Sequence, residues 1–376
     1  MKTILLAPNS FKECSDSVTI TDILFKDLSA GLRADYILNP ISDGGDGFVD
    51  VCKYNFNGNA LKYEITTAYA DTKTEVNIFY DDKDSTVFIE SANVLGLKVV
   101  PVEKRNPLKL SSKGLGEILR KIRDDTINGM LDVTKVILGI GGTATIDAGF
   151  GACSVLGLQA FDGNGNEIEL IPENFIKVKK LVWDNPKLPF EIYCILDVDN
   201  PLIGGNNGIK VYGKQKNASD EDIKLIEDGV LQVIQILENN GWNIARKNLS
   251  GAGGGIPSGL KLFLNSKNIS AGGFILNNLK LKKSLQKADI LITGEGSFDK
   301  QTLMGKGAGI LVNEAVKNDT KIFAICGKAE EQTKNKLKNK VEFIELIDFF
   351  SSVEESIKNY KTGLQKASEI IANKLK

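Results

Sequence analysis

Between residues 292 and 307 the chain reads ITGEGSFDKQTLMGKG, which puts Glu295 between two glycines, Asp299 four residues further on, and Lys306 between two more glycines. The 376 residues include no histidine, so Ser-His-Asp hydrolysis, Cys-His proteolysis and His-ligated zinc or iron centres are excluded. Any chemistry must run on carboxylates, lysines, hydroxyls and backbone amides. Phosphoryl transfer suits that set, because there a protein mainly positions groups and stabilises charge around a hard cation such as Mg²⁺ held by oxygen ligands.

Comparable turns follow the other short apolar runs. Residues 8–12 (PNSFK) bring Lys12, residues 42–47 (SDGGDG) bring Asp43 and Asp46, residues 139–145 (GIGGTAT) bring Gly141, Gly142 and Thr143, and residues 197–201 (DVDNP) bring Asp197 and Asp199. Each has a plain structural reading, since glycine serves tight turns and Asp or Asn caps helices. Paired acids on glycine turns suit a Mg²⁺ or hydroxyl-binding surface, or a pair in which one carboxyl is raised for general-base work. The run at residues 251–255 (GAGGG), with Gly253 and Gly254 at its centre and Pro257 at an expected helix start, reads either as a backbone nest for phosphate or as a hinge between domains.

A competing pattern lies at residues 136–162. It reads strand, G-x-G-x-x-A, helix and strand, with Asp162 at the ribose-binding distance, and so suggests a NAD-dependent dehydrogenase of a small hydroxy acid using residues 139–144. Asp147 would repel a pyrophosphate there. The Walker A spacing is absent, so ATP, if used, is not held by a P-loop.

The elements that must position these residues alternate. Apolar runs at 3–7, 36–38, 136–138, 192–196, 290–293 and 322–325 read as buried strands, and helical periodicity covers Ile20, Leu24, Leu28 and Leu32, then 115–122, 223–237 and 353–375. Strand then helix, repeated, implies parallel sheets covered by helices. Residues 60–90 break the rhythm as successive strands around a turn at Asp71-Thr72-Lys73, which predicts a mixed sheet. The expected fold is therefore α/β: a Rossmann-like parallel-sheet domain from both chain ends, residues 1–58 and 276–376, with a second α/β domain, residues 59–275, inserted. A net charge of -1, from 47 basic and 48 acidic residues, suggests no nucleic-acid partner. Five scattered cysteines without a C-x-x-C pair fit free thiols in a reducing cytoplasm, and no apolar stretch suits a membrane.

Taken in order, APNSFK (7–12), PISDGGDGF (40–48), RNPLKLSSKGLGE (105–117), GIGGTATIDAGFG (139–151), DVDNPLIG (197–204), GAGGGIPSGL (251–260) and ITGEGSFDKQTLMGKG resemble the bacterial glycerate kinase family along essentially the whole chain. The resemblance implies phosphorylation of D-glycerate by Mg²⁺-ATP to 2-phosphoglycerate in a cleft between two α/β domains, and leaves a homodimer open. It matches Lys12, Asp43, Asp46, Glu295, Asp299 and Lys306 to positions of the family motifs; on the chemistry of the residues themselves, Lys12, Asp43 and Asp197 are expected to be catalytic, with Asp197 the first choice and Asp43 the second for accepting the hydroxyl proton. Gly141, Gly142, Thr143, Gly253, Gly254, Glu295 and Lys306 go to nucleotide binding, and Asp46 and Asp299 to the metal. Departures from the family pattern are Asp46 where glutamate is common, Ile146 for asparagine, Ser297 for arginine, Met304 for histidine, and residues 13–16 (ECSD) for Gly-Ser-Leu-Ser.

Overall fold

The first apolar run forms β1 (Thr3–Leu6), and the helix Ser17–Gly31 carries the chain to β2 (Asp35–Leu38). Periodicity alone places that helix, and its face is as expected: Ile20, Leu24 and Leu28 are buried, with Leu32 at the partly exposed end. Asp16 starts it by accepting the Thr19 amide at 2.8 Å, an ordinary N-cap. The chain then forms β3 (Asn59–Thr66), β4 (Lys73–Asp81), β5 (Thr86–Glu90), β6 (Lys135–Gly139), β7 (Leu158–Phe161), β8 (Glu167–Ile168), β9 (Lys180–Trp183), β10 (Glu191–Leu196) and β11 (Lys267–Ser270). It closes with β12 (Ile290–Phe298), β13 (Lys321–Ala329) and β14 (Val341–Glu345). This computed structural model describes residues 1–12, 14–69, 72–303 and 307–376.

Two compact units result, one of residues 1–43, 50–56 and 270–376, the other of residues 44–49 and 57–269. The first holds a parallel sheet in the order β14-β13-β12-β1-β2, built from both ends of the chain. From β1 the chain moves outward to β2, and from β12 it moves outward the other way, so strand order reverses between β1 and β12. In open parallel sheets ligands bind beyond the carboxyl ends of the strands at such a reversal. The core of this unit gathers Ile4, Leu6, Ile20, Leu24, Phe323, Ile325, Leu364 and Ile371.

The second unit carries a mixed sheet in the order β11-β10-β6-β5-β4-β3. β3, β4 and β5 are antiparallel neighbours, as residues 60–90 suggested; Asp71 of the expected turn lies outside the described residues. β5, β6 and β10 run parallel, with Glu90 and Ile195 both in register with Gly139. The loops that leave these three strands therefore emerge at one sheet edge. A third, antiparallel sheet in the order β8-β7-β9 was not visible in the sequence, because strands this short show no alternation to read. Residues 353–375, expected as one helix, form two, Val353–Lys358 and Tyr360–Leu375, parted at Asn359. Among the described residues no helix is long and apolar enough to cross a membrane.

The dinucleotide pattern at 136–162 does not fold as a strand–turn–helix–strand unit. β6 ends at Gly139, the helix Phe150–Val155 begins only after a long loop, and β7 joins the third sheet rather than lying parallel beside β6. Asp162 sits in the β7–β8 turn, where its Oδ1 accepts the amides of Asn164 and Asn166 at 2.8 and 2.9 Å. A local turn, not a ribose, explains that acid.

Candidate active site

At the strand-order reversal of the first unit, backbone bonds extend the ladders past the strand ends. The Ala7 and Asn9 amides donate to Ile292 and Gly294 at 2.9 and 2.8 Å, and the Asn39 and Ile41 amides donate to Leu6 and Pro8 at 2.9 and 3.1 Å. The loops after β1, β2 and the β12 stretch carrying Glu295 are thus fixed side by side. Lys12 is exposed, and its backbone amide stands 3.3 Å from where a Cβ on Gly296 would be. Glu295 is half-buried as a residue, but its Oε1 is shut from solvent without a hydrogen-bond partner among the described residues. Burial pushes its carboxyl up to about 7; the Thr302 hydroxyl opposes the rise, the charges of Asp43 and Asp299 add to it, and Lys12 opposes it. Gly307 permits this crowding, since a Cβ there would lie 2.6 Å from Glu295 Oε2 and 2.7 Å from Asn9 Nδ2.

Lys12, Asp43 and Asp299 therefore act on the Glu295 carboxyl within the first unit. Asp299 also does structural work. Its Oδ1 accepts the Thr302 amide at 3.1 Å while its own amide donates to Thr302 Oγ1 at 3.2 Å, capping the short helix Lys300–Leu303. Lys306 lies outside the described residues, as do Glu13 and Met304.

The second unit assembles a different group at the carboxyl edge of β5, β6 and β10. Ser91 Oγ bonds to Gly141, accepting from its amide at 3.3 Å and donating to its carbonyl at 3.2 Å. Gly142 is exposed with φ at +63°, and Thr143 beside it is buried. The 251–255 run packs directly against this loop, where Gly254 has φ at +71° and a Cβ on it would stand 1.9 Å from the Thr145 carbonyl oxygen. Only glycine fits there. Because the run is packed inside the second unit, it is no hinge, and Pro257 does open the helix Ile256–Leu264.

The chain enters the second unit between Asp43 and Gly44, so the two acids of SDGGDG fall in different units. Asp46 pairs with Lys98. Glu90 holds the segment in place by accepting the Gly47 and Val49 amides, each at 3.1 Å, and Phe48 meets Phe88 edge to face. Asp197 lies half-buried just past β10, where burial and then the Asp197 charge push the Tyr212 hydroxyl up; that hydroxyl donates to Asn200 Oδ1 at 2.7 Å. The Gly251 amide donates to the Asn200 carbonyl at 2.8 Å, tying the Asp197 loop to the glycine run. Among the described residues no three acids or thiols come close enough to form a ready-made metal cage.

Two polar groups escaped the sequence reading. Glu90 stands at the carboxyl end of β5 and was findable there, as the acid that closes an apolar run. Lys216, buried beneath Thr143, carried no signal, since it sits in the stretch KQK that reads as a solvated face.

Acids and a lysine at the strand-order reversal of the first unit, with a glycine and hydroxyl loop in the second, form a donor set of the kind that phosphoryl transfer uses. The model of the glycerate kinase family matches residues 4–376, and the chain belongs to that family of enzymes. It is 30% identical to a glycerate kinase of Halalkalibacterium halodurans over 99% of this chain and 98% of the relative. It is 31% identical to the glycerate 2-kinase of Escherichia coli over 86% of this chain and 84% of the relative. A solved structure from Salmonella typhimurium LT2, described as a candidate glycerate kinase 2, superposes with a TM-score of 0.79 at 26% identity, covering 100% of this chain and 98% of that one. These likenesses give the dehydrogenase reading no support.

Proposed function

We propose that this enzyme transfers the terminal phosphoryl group of Mg²⁺-ATP to the 2-hydroxyl of D-glycerate, yielding 2-phosphoglycerate. The observation that carries the reading is the group Lys12, Asp43, Glu295 and Asp299 at the strand-order reversal, in a chain whose family is defined by glycerate kinases. The E. coli relative named glycerate 2-kinase supports the position of transfer.

Asp197 accepts the hydroxyl proton, with Asp43 as the second choice. In a loose phosphoryl-transfer transition state the acceptor need not ionise before attack, so holding the hydroxyl in line matters more than basicity. Lys12 and Lys306 neutralise charge on the transferring group and on the glycerate carboxylate. Gly141, Gly142 and Thr143 offer amides and a hydroxyl to nucleotide phosphates, Gly253 and Gly254 shape the loop behind them, and Glu295 contributes a carboxylate on the nucleotide side. The donor set fits Mg²⁺, because it is all oxygen and the buried Glu295 Oε1 lacks a partner among the described residues. In the first unit Asp299 is the acid assigned to hold it, sharing with its existing partner, the Thr302 amide. A cage of three acids is not required, since Mg²⁺ keeps waters and binds substrate phosphates with one or two carboxylates; bound, it supplies charge neutralisation at the phosphates.

The test is phosphorus NMR of the product formed from ATP and D-glycerate with and without Mg²⁺. A resonance of 2-phosphoglycerate that appears only with Mg²⁺ is expected. A 3-phosphoglycerate resonance would overturn the assigned position, and no phosphorylated glycerate would overturn the reaction.

A further inference from the structure

Lys216 ends the turn Lys214–Lys216 with 7% of its surface exposed, and the chemistry proposed above gives it no task. Its Nζ donates to Thr143 Oγ1 at 3.1 Å and to the Thr145 carbonyl at 2.9 Å. Both acceptors belong to the loop assigned above to nucleotide phosphates, and Thr145 Oγ1 beside them is buried without a partner among the described residues. Asp147 faces the ammonium from the same loop, and its carboxylate already accepts from the Ser112 amide and hydroxyl, both at 2.7 Å, and from the Gly149 and Gly151 amides, both at 3.2 Å. Charges on the neighbouring elements are paired elsewhere: Asp46 with Lys98, Lys210 with Glu227 and Lys214 with Asp220.

The direction of the Lys216–Thr143 bond has a chemical consequence. An ammonium can only donate, so Thr143 Oγ1 must accept, and its single O–H is left to donate elsewhere. A neutral amine has a lone pair, and the Thr143 O–H can then turn inward and donate to it. We infer that Lys216 is a positioning residue: as an ammonium it aims the Thr143 hydroxyl at a nucleotide phosphate on the 141–143 loop, and as a neutral amine it withdraws that donor. The inference rests on the proposed nucleotide role of this loop. Burial lowers Lys216 to about 7, with Asp147 opposing, so the exchange falls near neutral pH; an anion bound nearby would favour the ammonium again.

The experiment is titration calorimetry of MgATP at pH 6 and pH 8.5 with the full chain. Wild type is expected to bind about 10-fold more weakly at pH 8.5, the scale of one hydrogen bond to a charged group. Thr143→Val should bind about 10-fold more weakly at pH 6 and differ by less than ~2-fold between the two pH values, while Thr143→Ser restores the wild-type profile. Adding Lys216→Met to Thr143→Val should weaken binding no further; if that double variant does not fold, the two Thr143 variants decide. A Thr143→Val protein that binds weakly yet keeps the wild-type pH dependence overturns the inference and leaves the loop's role standing. A Thr143→Val protein with wild-type affinity at both pH values overturns both.

Discussion

In the first unit the polar groups are side chains: Lys12, Asp43 and Asp299 stand near enough to Glu295, beyond a parallel sheet, for their charges to act on its carboxyl. In the second they are largely backbone, with Gly141, Gly142 and Gly254 bringing main chain close and Lys216 and Glu90 holding the loops from beneath. The contrast follows from the sheets. A strand-order reversal leaves a crevice at the strand ends where charged side chains can gather, whereas the crowded β6 loop leaves room mainly for amides. Substitutions in the first unit should thus change rate at constant fold, and those in the second should change fold or affinity first.

Asp197 tests that contrast hardest, as a carboxylate in the backbone-built unit. Asp197→Asn should lower turnover by about 10²–10⁴, the range for a lost general base, with unchanged thermal stability. Turnover near the wild-type value would pass the base role to Asp43. Lys12→Met should come next, with a loss of about 10² in turnover, measured at saturating ATP and D-glycerate. Gly254→Ala should instead destabilise by about 3 kcal/mol or more in urea unfolding, because its Cβ would meet the Thr145 carbonyl and its φ is left-handed.

Glu295 gives a smaller and pH-dependent effect on stability. Its folded pKa of about 7 stands above the ordinary 4.5, so the folded chain keeps this proton longer than the unfolded chain does. That contribution to stability is fully present below about pH 4.5 and is lost as pH rises through about 7. Glu295→Gln should therefore melt above wild type at pH 8, with the difference shrinking toward pH 4.5. Smallest of all, Asp16→Ala removes the N-cap of the Ser17–Gly31 helix and should cost about 1 kcal/mol in urea unfolding.

Strands such as 290–293 and 322–325 were legible because three or four consecutive apolar residues stood between turn residues or charges. The third sheet was not, for its strands are too short to alternate. Lys12, Asp43, Glu295 and Asp197 were legible from their places just past apolar runs, since topology puts the carboxyl ends of strands where ligands bind. Position along the chain could not tell that Asp299 would also cap a helix, nor that Asp43 and Asp46, three residues apart, would part into separate units. Lys216 was beyond reach, as burial of a lysine is decided by tertiary packing. The glycines of 139–145 were legible as a special turn, but their dinucleotide reading failed because spacing does not reveal which sheet the next strand joins.

The central claim is that the charged group beyond β1, β2 and β12 is where phosphoryl transfer occurs. ADP formation by wild type and Glu295→Gln, each with Mg²⁺-ATP and with or without D-glycerate, tests it most directly. Glycerate-dependent ADP is expected in wild type, with a loss of about 10² or more in the variant, which stays folded. Wild-type ADP formation indifferent to glycerate, or a variant as fast as wild type, would contradict it.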